Sequence, residues 1–403
     1  MTFKKSKQGW AVDQWAVSAG VCAVWVLALA LLMIHFRSHN GWVLGDWMID
    51  YRQGFVRRGL SGALAQFLAG LLPGGALLWA TALIAACWTV LALHLVKILT
   101  AVKKPVWFLL LLLSPAGLLF SVYGADQVGR KEIVLFAAMA VFVWRQMSSR
   151  ALGWLEVCGW LVAGVTLSLM HEVGVFYGAY FALAAAWSGR GSIAFRSAFA
   201  MVAGMLAGAA SILLFSRTFD GPAFCASLIQ SDGLSASICN GTITWKLLTV
   251  SASHADTLLA INYFSYYFVY GVCILLIAAP VVFWSLNSCR LGEIVSPLKG
   301  VALAWLISVP LFLIAVDWGR FIQIHVVLLM LSATLLLPQR FDIAAEKGAG
   351  SIVGVRGHWQ TLAVLASFAT YAFWNMPVCC QSNVGGGLLP KAESALRLLQ
   401  RFL

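Results

Sequence analysis

WAVSAGVCAVWVLALALLMIHF, residues 15–36, is an apolar run long enough to cross a bilayer, since about 20 residues of α-helix span the hydrocarbon core. A basic stretch, MTFKKSKQGWAVDQ at 1–14, precedes it, as in a signal peptide. The run is longer than the hydrophobic part of such a peptide and lacks a small-residue cleavage site, so it reads as a retained first helix. Comparable runs recur near 75–98, 105–122, 131–148, 152–169, 172–188, 197–216, 258–287, 299–316, 322–338 and 359–376. Together they predict an all-α fold, a polytopic integral membrane helical bundle of about 11 transmembrane helices. Residues 60–73, LSGALAQFLAGLLP, are too short to cross and suit a short interfacial helix after the first outer loop.

Composition points the same way. The chain of 403 residues is 61% hydrophobic and 10% charged, and a soluble fold of this length needs far more polar surface. One transmembrane domain is expected over 1–376. An outer-face tail, 377–403, carries the amphipathic PKAESALRLLQRFL.

Basic residues stay preferentially on the cytoplasmic side. With the N-terminus inside, inner segments hold 15 of the 27 Lys and Arg but only five of the 15 acids. The bias predicts a bacterial inner membrane protein with a cytoplasmic N-terminus and a periplasmic C-terminus. Every cluster that mixes acids with bases near a helix end then falls on the outer face: GDWMIDYRQGFVRRGLSG (45–62), YGADQVGRKE (123–132), HE (171–172) and DWGR (317–320).

Each cluster has a purely structural reading as a solvated helix end with local ion pairs, and each has a functional one. In the first, helical spacing places Asp46, Asp50, Gln53 and Arg57 on one stripe, with Arg58 about 100° away. Arg52 lies in the same loop, and Trp42, Trp47, Tyr51 and Phe55 offer flat faces that suit a membrane interface or a sugar ring. In the second, Asp126, Arg130 and Lys131 precede a helix with Glu132 in its first turn, where an acid stabilises the helix N-terminus. Adjacent Arg130 and Lys131 on the outer face run against the charge bias, and a phosphate ligand accounts for them. His171 and Glu172 stand between two apolar runs, with no second ligand at metal-binding spacing. Asp317 and Arg320 interrupt nearly continuous apolar sequence, with His325 a turn and a half beyond.

Cys225 and Cys239 sit in the longest outer loop, 217–257, a placement compatible with a disulfide in an oxidising compartment. Adjacent Cys379 and Cys380 are also placed outside, whereas Cys22, Cys87, Cys158 and Cys273 read as core fillers. No CxxC pair points to zinc or redox chemistry, and no metal site is expected.

Guanidinium groups beside carboxylates at a membrane edge suit a substrate that joins phosphate, polar body and lipid tail. Acids directly after the first helix, followed by a short interfacial helix, resemble the layout of membrane-embedded glycosyltransferases of the GT-C type. Span number and outer arginines also resemble bacterial O-antigen and exopolysaccharide polymerases. The resemblance implies a glycosyltransferase or glycan polymerase that uses a polyprenyl-phosphate or polyprenyl-diphosphate sugar at the periplasmic face. Its acceptor is a glycan, lipid or protein, its surroundings are membrane lipids, and no nucleic acid is involved. By position it assigns Asp50 or Asp46 as the catalytic acid, with Glu172 and His171 as further catalytic candidates. Arg57, Arg58, Arg130, Lys131 and Arg320 bind phosphate, supported by Arg52, Asp126 and Asp317. The resemblance points to no particular cofactor, and a divalent cation is compatible with such a donor. Two other functions fit the composition: a lipid-linked glycan transporter or flippase, and an acyl or phospho-group transferase with His171 as base.

Overall fold

A computed structural model describes residues 12–102, 112–148, 153–244, 268, 270–275, 291–315, 317–336, 374 and 376–377. Among them the chain is helical and no strand forms. The elements are α1 (Val12–Arg37), α2 (Gly45–Met48), α3 (Leu60–Leu71), α4 (Ala76–Ala101), α5 (Phe120–Tyr123), α6 (Glu132–Met147), α7 (Trp154–Met170), α8 (Ala179–Trp187), α9 (Ser192–Phe215), α10 (Gly221–Asp232), α11 (Leu291–Ile314) and α12 (Trp318–Ala333). Among the described residues four stretches, Gln14–Arg37, Ala76–Ala101, Ser192–Phe215 and Trp318–Leu336, are long and apolar enough to cross a membrane.

The helices pack in two neighbourhoods. Helix α4 lies between α1 and α6, and α7 runs against α9, while α12 touches α6 and α8. The α7–α9 seam is built on small residues: a Cβ on Gly164 would strike the Met201 carbonyl, and one on Gly204 the Leu161 carbonyl. The backbones therefore approach closely, as small residues permit between helices in lipid, and Ser168 Oγ donates to the Met205 carbonyl at 2.8 Å. The opposite faces carry large apolar side chains, with Leu155 87% and Leu213 85% exposed. In a chain of this composition such surfaces face hydrocarbon.

Three expectations change. The stripe Asp46, Asp50, Gln53 and Arg57 does not exist, because helix α2 ends at Met48 and residues 49–59 form irregular turns. The glycines leave that loop free to follow side-chain pairing instead of a helical period. The expected span 172–188 is a 3₁₀ turn, Glu172–Tyr177, followed by the nine-residue α8, with Gly174 and Gly178 in the interrupted stretch. Within the expected span 105–122, residues 113–119 are turns. Residues 103–111, most of 258–287 and 359–376, and nearly all of the tail with Cys379 and Cys380 lie outside the described residues.

The segment 217–244 folds over the first loop. Arg217 N–H donates to the Phe55 carbonyl at 2.7 Å, and Thr242 Oγ1 to the Gly41 carbonyl at 3.0 Å. Gln53 exchanges two hydrogen bonds with the Asp220 backbone, at 2.9 and 3.0 Å. Asp220 caps α10 by accepting from Ala223 N–H at 3.0 Å, and Gly233, in the left-handed region, ends it. A disulfide ties Cys225 to Cys239 across this segment.

Candidate functional site

Four segments remote in sequence meet at one end of the helices: the first loop, the start of α6, the end of α7 and the start of α12. Two indoles fix the geometry. Trp47 Nε1 donates to the Gly129 carbonyl and Trp88 Nε1 to the Val128 carbonyl, which pins the turn before α6 against α2 and α4.

Asp46 is the carboxylate of the first loop that enters the cluster. It is buried, 3.6 Å from Arg58 and 3.7 Å from Lys131. Burial alone raises its pKa, but Lys131, Arg58, His171 and Arg130 outweigh it and leave the group at about 2. Lys131 is fully enclosed and donates to the Arg58 carbonyl at 3.1 Å. Arg58 itself has φ of +64°, a left-handed conformation that costs a non-glycine residue about 1 kcal/mol. Its Nη2 reaches Glu172 at 3.1 Å. Arg57 Nε donates to the same Glu172 oxygen at 2.6 Å, so two guanidiniums share one carboxylate.

Glu132 is a second hub. His171 Nε2 is 3.1 Å from its Oε1. Arg320 Nε is 3.0 Å from that oxygen but out of line for a hydrogen bond, and Arg320 Nη2 pairs with Asp317 at 2.9 Å. Among the described residues, Glu132 Oε2, His171 Nδ1, Asp46 Oδ1 and Arg130 Nε are, like Arg320 Nε, buried without a hydrogen-bond partner. Burial, then the like charge of Arg320, lowers the Arg130 pKa from its ordinary value. Burial also lowers that of His171, Glu132 acting against it and Arg58 with it. A small pocket beside the hub is lined by Lys131, Glu132 and His171 on its polar side and by Leu135, Leu167, Val173 and Ile324 on its apolar side.

Not every sequence candidate lies here. Asp50 is buried against Arg52, which donates to it from Nε at 2.8 Å and from the backbone at 2.9 Å. Arg52 also reaches Ser231 and Asp232, at 2.8 and 2.7 Å, so this network fastens α10 to the first loop. Asp126 is exposed and accepts from Asn40 at 3.2 Å. His325 is fully buried between Tyr180 and Ser308, with Trp305 stacked on it 4.0 Å away, so both ring nitrogens are occupied. Glu132 was absent from the candidates because an acid at a helix start already has a local role. Its position next to Arg130 and Lys131 at the start of a helix is the signal that points to it. Among the described residues no group of three or more His, Cys, Asp or Glu side chains is arranged to hold a metal.

Arranged this way, the cluster joins five cations to four carboxylates and one imidazole at one end of the helices. It has the means to hold an anion and to move a proton. Residues 15–234 match the family model described as uncharacterised membrane protein Rv1490, a stretch that includes every site segment except Asp317 and Arg320. Neither a curated protein nor a solved structure matches the chain.

Proposed function

The chain thus belongs to this family of membrane proteins, and we propose that it transfers a glycosyl group from a polyprenyl-(di)phosphate-linked sugar at the outer face of a bacterial inner membrane. The observation that carries this reading is Arg130: a guanidinium with its Nε buried and unpartnered, beside four more cations that share their carboxylates. A phosphate oxygen fits such a group, and a lipid tail has apolar helices at hand. As the bond to the sugar breaks, negative charge grows on the leaving phosphate, and fixed cations stabilise it.

The disulfide supports the outward orientation. The segment it staples packs on the first loop, the same loop that supplies Asp46, Arg57 and Arg58, and disulfides persist in oxidising compartments. Glycan, lipid and protein hydroxyls all suit the acceptor role.

Two measurements test the reading. Purified chain in nanodiscs is titrated with decaprenyl phosphate; Arg130→Ala weakens binding by about tenfold or more. In cells, deletion removes an envelope glycan and lipid-linked sugar accumulates. Unchanged envelope glycans and lipid intermediates would sink the reading. The buried His171–Glu132 pair also favours transfer of a smaller acyl or phospho group, for which the product gains a smaller mass than a sugar.

A further inference from the structure

Resting on the transfer reading above, we infer that His171 takes the acceptor hydroxyl's proton at Nδ1 and that Glu132 is the positioning residue that fixes its tautomer. His171 Nε2 lies 3.1 Å from Glu132 Oε1, and Arg320 sits 3.0 Å from the same oxygen. A carboxylate engaged with a guanidinium accepts hydrogen bonds and donates none, so Nε2 must carry the imidazole proton. Nδ1 then holds a free lone pair, and it is buried with no partner among the described residues. A carboxylate that orients one ring nitrogen leaves the other as a base, which is how paired acid–base groups work.

The surroundings suit that role. His171, Glu132 and Lys131 line the pocket together with Leu135, Leu167 and Ile324, so a hydroxyl entering it meets the imidazole in a setting poor in competing water. Charged groups face His171 from several sides: Glu132 from α6, Asp46 and Arg58 from the first loop, and its neighbour Glu172. Burial lowers the His171 pKa from its ordinary value, which favours the neutral form that a base requires.

In the step itself the acceptor O–H bond breaks and its proton passes to Nδ1. The acceptor oxygen bonds to the sugar's anomeric carbon, whose bond to the phosphate oxygen breaks. The electron pair leaves on the polyprenyl phosphate, where the arginines meet it. Nothing is oxidised or reduced.

The test uses full-length chain in nanodiscs, with histidine nitrogens labelled and His171 assigned by its loss in His171→Gln. The expected result is a neutral Nε2–H tautomer at pH 7 that Glu132→Gln shifts toward Nδ1–H. In cells, His171→Gln lowers envelope glycan by about 100-fold or more, the scale of a lost general base, and Glu132→Asp restores part of what Glu132→Gln loses. An Nδ1–H tautomer in the wild type, or His171→Gln with normal glycan, overturns the inference while decaprenyl phosphate binding still upholds the transfer reading. Loss of that binding in the wild type overturns both.

Discussion

Two groups of ion pairs sit at opposite ends of the helices and differ in how completely they are satisfied. At one end Arg145 grips Glu156 with two parallel bonds, 2.8 and 2.5 Å, and Arg190 closes onto the Arg145 carbonyl at 2.9 Å. That pair is one acid to one base, a quarter and a fifth exposed. At the other end, cations outnumber carboxylates, Arg57 and Arg58 share Glu172, and among the described residues five polar atoms of the cluster stay buried without a hydrogen-bond partner. A closed pair ties helices together. An open one retains charge and lone pairs for something else, at a cost in stability that the rest of the fold carries.

Substitutions break this contrast in graded ways. Arg58→Ala leaves Glu172 to Arg57 and Asp46 to Lys131 alone and is expected to destabilise the chain by about 3 kcal/mol, read as a fall in melting temperature in detergent and in cellular protein level. Asp46→Asn follows. With its pKa at about 2 against the ordinary 3.8, Asp46 contributes roughly 2 kcal/mol that is fully present above pH 3.8 and lost as pH falls through 2. The asparagine variant should therefore be less stable than wild type at pH 7 and lose less on acidification, measured by melting temperature across that range. Melting temperatures that fall in parallel for both proteins would remove Asp46 from the cluster's electrostatics.

At the closed end, a double-mutant cycle on Arg145→Ala and Glu156→Ala should give a coupling of only about 0.5–1 kcal/mol, because both groups are partly solvated. Envelope glycan should be unchanged in those variants. Smallest in stability is Arg130→Met, expected within about 0.5 kcal/mol of wild type or above it, since it relieves repulsion with Arg320. Its decaprenyl phosphate binding should nevertheless collapse. A destabilised Arg130→Met would mean that the guanidinium is structural, and the two ends would then differ less than their geometry implies.

The membrane class, the helices around 15–36, 75–98, 131–148, 152–169, 197–216 and 322–338, and the short helix at 60–71 were legible in the sequence. Burial of apolar length in lipid is a local property, written residue by residue into each run. The ends of those runs also showed where charge collects. What they could not show is who pairs with whom. Asp46 and Asp50 lie four residues apart in one loop, yet one joins Lys131 and Arg58 while the other joins Arg52 and, through it, α10. Glu132 became a hub because α7 brings His171 and α12 brings Arg320 to it. Ion pairing depends on distances of a few ångströms between segments up to 188 residues apart, from Glu132 to Arg320, and only the packing of the helices sets those distances.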